Sequence, residues 1–177
     1  MLRRFSTRLA WLELWLAALM AVGVTLLILL NIVTRYFGAA LFWVDELAIY
    51  AMVWMTFLGA SAALHHRSSI SITLLTNAVS DSAARVIDKV VDAVIFVFAL
   101  AMLWFCWRWF LPLDIARAGF DTEVFQGKTF NFVYAEPTTT LGVQKVLFWS
   151  VMWLFSFGAL VHSAMHLFSP RRAKDAA

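Results

Sequence analysis

The sequence predicts an all-α, integral membrane four-helix bundle, and three observations carry that reading. Of 177 residues, 63% are hydrophobic and 14% charged, against roughly half and a quarter in a soluble domain. Four segments approach the ~20 mainly apolar residues needed to cross about 30 Å of hydrocarbon. They cover about 9–34, 43–64, 86–110 and 146–168, and the basic residues collect near their ends. The chain, 1–177, reads as a single membrane domain whose solvent is membrane lipid.

The same composition excludes other classes. A net charge of +3 is small, and the basic residues form no stripe with interleaved aromatics, so nucleic acid is not a partner. A single cysteine, Cys106, forbids an internal disulfide and reads as a small apolar packing residue. There is no internal repeat and no low-complexity tract.

The N-terminus, "MLRRFSTRLAWLELW", starts like a signal peptide. The apolar run from Leu14 to Thr34 offers no small-residue cleavage site, so the segment reads as a retained first span. Span two opens on Trp43, Asp45 and Glu46 and closes on His65, His66 and Arg67. Span three has Asp88, Lys89 and Asp92 in its first turns, but 93–107 is free of charge; span four follows Lys145.

Basic residues orient these spans. Arg3, Arg4 and Arg8 precede span one, Arg67, Arg85 and Lys89 lie between spans two and three, and Arg171, Arg172 and Lys174 follow span four. The opposite side has Arg35 in a short loop and Arg108, Arg117, Lys128 and Lys145 diluted over a long one. The positive-inside rule then predicts both termini in the cytoplasm. The stretch 68–80, "SSISITLLTNAVS", is too short to span and reads as a short interfacial segment between spans two and three. In the outer loop, 111–145, β-prone residues flank Gln126-Gly127-Lys128, which predicts a small hairpin.

The polar residues at the span ends are the candidate sites. Asp45 and Glu46 fall in the first turn of span two, where the positive helix end favours anions. Alternatively, one of them pairs with Arg35 or with a basic residue of another subunit, since a charge at the membrane boundary is best kept with a partner; both readings can hold together. Gly59 and Ala63, with Ala60 to Ala62, make a small-residue face suited to close helix approach. That face serves either packing within the bundle or contact with another protein. His65, His66, His162 and His166 fall on one side of the membrane. Imidazoles from two helices can ligate haem, but histidine beside Arg67 is also a tolerable boundary residue, and no cofactor is expected. Glu13, Asn31 and Asp92 lie near span ends, where snorkelling or capping suffices.

No span has a Gly- or Pro-broken centre beside a charge, the mark of a carrier's own binding site. No nucleophile with a base, phosphate loop or carboxylate cluster is present, so no enzyme is predicted.

The residues from Arg35 to Thr73 resemble the small membrane subunit of tripartite ATP-independent periplasmic (TRAP) transporters, the DctQ-like family. The match runs through "RYFG" (Arg35 to Gly38), then Trp43, Asp45 and Glu46, then Val53, Trp54, Phe57, Leu58, Gly59 and Ala60, and a basic, His-containing turn before "ISI". It departs from the family pattern at Ser69, where histidine is common, and at Thr73, where aspartate is common. The resemblance implies a bacterial inner-membrane subunit that carries no substrate itself. In that scheme a periplasmic binding protein delivers an organic acid to a large, DctM-like membrane subunit, which moves it with sodium, and the small subunit widens the scaffold. Arg35, Trp43, Asp45, Glu46, Trp54, Gly59 and Ala63 become the expected partner interface. The runner-up is a haem-bearing membrane anchor of a respiratory enzyme. A small carrier or channel acting alone is disfavoured by the unbroken spans.

Overall fold

A computed structural model describes residues 1–66 and 79–168. Among the described residues seven helices occur in order: α1 (Leu2–Tyr36), α2 (Phe42–His66), α3 (Asp81–Phe110), α4 (Pro112–Arg117), α5 (Thr122–Thr129), α6 (Val146–Trp149) and α7 (Val151–Phe168). Four stretches are long and apolar enough to cross a membrane: α1, α2, α3 with its continuation to Arg117, and α6 with α7. The interfacial reading of 68–80 falls almost wholly on residues outside the described ones, as do Arg67, Ser69, Thr73, Arg171, Arg172 and Lys174.

α1 spans 35 residues, about 52 Å at 1.5 Å per residue, so it outruns the hydrocarbon layer. Its surface is apolar all round, yet its inward residues follow a strict rhythm. Ser6, Ala10, Glu13, Ala17 and Val24 are buried, and Met20, Leu27, Asn31 and Thr34 are half-buried. These positions alternate steps of four and three, a 3.5-residue period that keeps one seam facing a neighbour along the helix. That neighbour is mainly α2. Two small alanines in the seam let the backbones approach, which is how membrane helices gain packing when lipid is as apolar as leucine.

The turn joining α1 to α2 explains one of the sequence motifs. Gly38 takes φ +74°, its N–H bonds the Arg35 carbonyl at 3.0 Å, and the Ala39 N–H bonds the Thr34 carbonyl at 2.8 Å. This paired closure of a helix end requires a left-handed residue, hence glycine. The turn reverses the chain and returns Asp45 to Arg35.

α7 is the most deeply packed of the long helices. It contacts α1, α2 and α3, whereas α3 packs chiefly against α7. The four-helix bundle is therefore a tight α1–α2–α7 unit with α3 attached along α7. Midway through that unit, Ala17, Leu58 and Val151 form an apolar core with Leu16, Trp54, Met55 and Phe57 packed on it.

The predicted hairpin around Gln126-Gly127-Lys128 is incorrect: those residues belong to α5. Asp121 caps that helix, its carboxylate accepting the Glu123 N–H at 2.9 Å and the Val124 N–H at 3.0 Å. With Glu123 in the first turn and Lys128 in the last, capping and dipole terms outweigh the β preference of the aromatics. The only antiparallel bridge among the described residues joins Pro137 to Gln144. Phe125 and Val133 pack with Ile115 onto Cys106 and Phe110 of α3, so the loop is a folded cap with its own core. Cys106 is the packing residue expected of it, 1% exposed.

Candidate functional sites at the two ends of the helices

At the loop end, the two adjacent carboxylates of α2 take different partners. Asp45 Oδ2 accepts Arg35 Nη2 at 2.7 Å, and Asp45 Oδ1 accepts the Asn31 amide. Arg35 Nε in turn bonds Asn31 Oδ1 at 2.8 Å, closing a three-residue cycle between α1 and α2. Of the two carboxylates weighed from sequence as a partner for Arg35, Asp45 is the one that pairs with it. Arg35 and Asp45 remain half-exposed.

Glu46 points the other way, into the segment that leads to α6. One oxygen accepts the Thr139 N–H at 2.8 Å; the other accepts the Thr140 N–H and hydroxyl, each at 2.6 Å, and the Leu141 N–H at 3.2 Å. A carboxylate receiving consecutive backbone donors is a charge-assisted clasp. The turn it holds closes on itself: the Thr138 N–H bonds the Val143 carbonyl at 2.8 Å, and Gly142 takes φ +71°. Lys145 and Glu136 pair at 2.5 Å across the base, and the carboxylate holds the Lys145 ammonium above its usual value. One turn further along α2, Tyr50 stacks on Phe148 with centroids 3.9 Å apart, and Trp54 Nε1 donates to the Phe148 carbonyl at 2.8 Å. The sequence gives no cue to this partner of Glu46, which lies 93 to 95 positions away.

The other end, where α1 and α3 begin and α2 and α7 finish, holds a buried polar chain. His162 is fully buried; its Nε2 lies 3.0 Å from Glu13 Oε2 and its Nδ1 2.8 Å from Ser6 Oγ. Glu13 Oε1 accepts the Ser61 hydroxyl at 2.8 Å, and Ser6 Oγ also lies 2.7 Å from His65 Nδ1. His166 Nε2 donates to the Leu64 and His65 carbonyls at 3.1 and 3.0 Å, closing the end of α2. Three helices meet in this cluster, and no buried side-chain nitrogen or oxygen among the described residues lacks a partner. Glu13 is therefore no snorkelling residue, being 4% exposed; Asp92 is buried too, at 5%. Both nitrogens of His162 are engaged by protein groups.

The small-residue face of α2 divides. Ser61 and Ala62 are buried against the chain's own helices, while Ala60 and Ala63 are exposed and Gly59 is half-buried. A Cβ built on Gly59 meets nothing within 4 Å. Ile49, Met52, Val53 and Thr56 continue that outward side and line a shallow groove with Phe57. Of the seven expected interface residues, Arg35 and Asp45 come together, Trp43 is exposed, and Glu46 and Trp54 bind the segment 139–148. Gly59 and Ala63 stand on the outward face.

A helical, multi-pass membrane protein whose buried polar side chains, among the described residues, are satisfied within the chain is the class that this fold and these two clusters define. The chain belongs to the DctQ component family of tripartite ATP-independent periplasmic transporters, whose profile matches residues 24–173. It is similar to the C4-dicarboxylate TRAP transporter small permease protein DctQ of Vibrio cholerae serotype O1, 26% identical over 112 residues, which are 63% of this chain and 48% of the relative. It is also similar to the "Putative TRAP transporter small permease protein" of Haemophilus influenzae, 27% identical over 74 residues, 41% of this chain and 46% of the relative. The chain thus spans about half the length of the relatives it matches. No solved structure matches it. The family is a transporter component and not an enzyme.

Proposed function

We propose that the chain is the integral membrane scaffold subunit of a TRAP transporter. It supports a large membrane subunit in sodium-coupled uptake of an organic acid delivered by a periplasmic binding protein. Its place is the bacterial inner membrane, with both termini in the cytoplasm and the 111–145 cap outside.

The observation that carries the scaffold reading is the segregation of polar groups. Within the α1–α2–α7 unit the buried or half-buried ionisable groups sit toward the two ends, Glu13, His65 and His162 at one and Asp45 and Glu46 at the other, each hydrogen-bonded within the chain, while Ala17, Leu58 and Val151 fill the middle. Moving an anion across hydrocarbon requires polar groups at mid-depth. The outward side of α2, with Gly59 and Ala63 open for close approach, supports contact with the large subunit. Arg35 and Trp43, exposed at the loop end, are further candidate contacts.

Proteoliposome uptake tests this reading. The large subunit and binding protein should transport only when this chain is included, and this chain alone should transport nothing. Full uptake without it overturns the assignment.

A further inference from the structure

We propose that Glu13, His162, Ser6 and His65 form a proton-binding site that stores one positive charge, shared between the two imidazoles through the Ser6 hydroxyl. The inference rests on this chain's own geometry and is independent of the transporter reading. Glu13 Oε1 is engaged by the Ser61 hydroxyl, so Oε2 is the acceptor for His162 Nε2, which carries a hydrogen. The open question is the proton on Nδ1. Ser6 Oγ sits between two Nδ1 atoms, 2.8 Å from His162 and 2.7 Å from His65. A hydroxyl has one hydrogen to donate. It therefore serves one imidazole, and the other must supply its own N–H.

Two arrangements satisfy every group. In one, His65 Nδ1–H donates to Ser6, and the Ser6 O–H donates to a neutral His162. In the other, His162 is an imidazolium beside the Glu13 carboxylate, its Nδ1–H donates to Ser6, and Ser6 donates to a neutral His65. A proton arriving at Nε2 of the partly exposed His65 links them. As Nε2 gains that proton, the His65 Nδ1 proton passes to Ser6 Oγ and the Ser6 hydroxyl proton passes to His162 Nδ1. One proton enters, two shift by one bond each, and the positive charge ends on His162.

A second charge does not fit. With both imidazoles protonated, two N–H groups would aim at Ser6 Oγ and strand its own hydrogen in a site where Ser6 is 0% exposed. The rings would also hold like charges with centroids 5.2 Å apart. The surroundings reinforce the limit. His66 lies 5.0 Å and His166 6.4 Å from the His65 ring, Arg3 of α1 acts on it electrostatically, and Lys89 of α3 reaches the Leu167 carbonyl at the same end. Among these hydrogen bonds of Ser6, His65 and His162 the carboxylate is Glu13, and α3 brings two further carboxylates, Asp88 and buried Asp92, to this end. Stronger acid therefore breaks the link between α1 and the ends of α2 and α7.

Nitrogen-15 NMR of the histidine rings, on the full chain in lipid nanodiscs, tests this directly. As pH falls, the His65 and His162 Nδ1 resonances should move together, the pair gaining one proton in a single step. Ser6→Ala should separate the two titrations, and Ser6→Thr, which keeps the hydroxyl, should restore the coupling. Circular dichroism checks that each variant remains helical. Independent titrations in the unaltered chain, unchanged by Ser6→Ala, would overturn the proposal. So would two imidazolium ions in the folded protein.

Discussion

Gly158 of α7 lies so close to the Glu13 carboxylate of α1 that a methyl group in its place would collide with Glu13 Oε1 and with Ser61 Oγ. Both atoms are side-chain ends, but they are committed to the hydrogen bond between them, so giving way would break it. Gly158→Ala should lower stability by about 1–3 kcal/mol, the usual cost of overpacking. Gly23, where an added Cβ meets nothing within 4 Å, is the control. Thermal unfolding in detergent should show a marked loss for Gly158→Ala and little change for Gly23→Ala. Equal transitions would contradict the close contact.

The two neighbouring carboxylates should differ in weight. Glu46 receives three backbone donors and a hydroxyl, and Gln in its place has one acceptor oxygen instead of two. Losing charge-assisted bonds loosens the contact locally, in the turn 138–143. Asp45→Asn removes a half-exposed ion pair, worth about 0–1 kcal/mol. Amide exchange at Thr139 to Leu141 should accelerate strongly in Glu46→Gln and only slightly in Asp45→Asn, and the reverse ranking would count against the clasp.

The face of α2 allows intrinsic packing to be separated from partner contact. Gly59→Leu and Ala63→Leu should leave the chain's own unfolding temperature nearly unchanged, yet weaken co-purification with the large subunit. Ala62, 0% exposed, supplies the contrast, since Ala62→Leu should destabilise the chain itself. If the Gly59 and Ala63 variants still co-purify normally, that face is lipid-exposed in the assembly.

Topology is checked by thiol labelling, with little background because Cys106 is buried. In intact cells with a permeable outer membrane, Gly127→Cys on exposed α5 should react with an impermeant reagent. Leu2→Cys should react only after the inner membrane is opened. Labelling at position 2 in intact cells would reverse the proposed orientation.

The spans were legible because length and hydropathy are all that a membrane helix needs to announce itself. A partner for Arg35 among Asp45 and Glu46 was one of two readings, because a boundary charge wants a near partner, but which carboxylate it would be was not legible. Glu13 and His162 were harder. In a helix apolar on every side, hydrophobic residues do not mark the inside. The usable signal is the opposite one, small or polar residues at a 3.5-residue period, which Ser6, Ala10, Glu13 and Ala17 supply. The partner of Glu46 lies beyond any local cue, as the turn 138–143 is specified by its own threonine and glycine. Helix α5 was misread because aromatic and β-branched residues around Gln126 outweighed the Asp121 cap.

The attachment of α3 to α7 has a consequence for biogenesis. During synthesis, α1 and α2 complete their seam as soon as both have entered the bilayer. Among the described residues the third span's main docking surface is α7, which appears only after the chain has grown by some forty more residues, an interval of roughly 2–8 s at ribosomal speed. Over that interval the side of α3 that will meet α7 stays open to lipid. The last helix to leave the ribosome is therefore the one that captures it, and truncations before Val151 should expose the nascent subunit to membrane quality control.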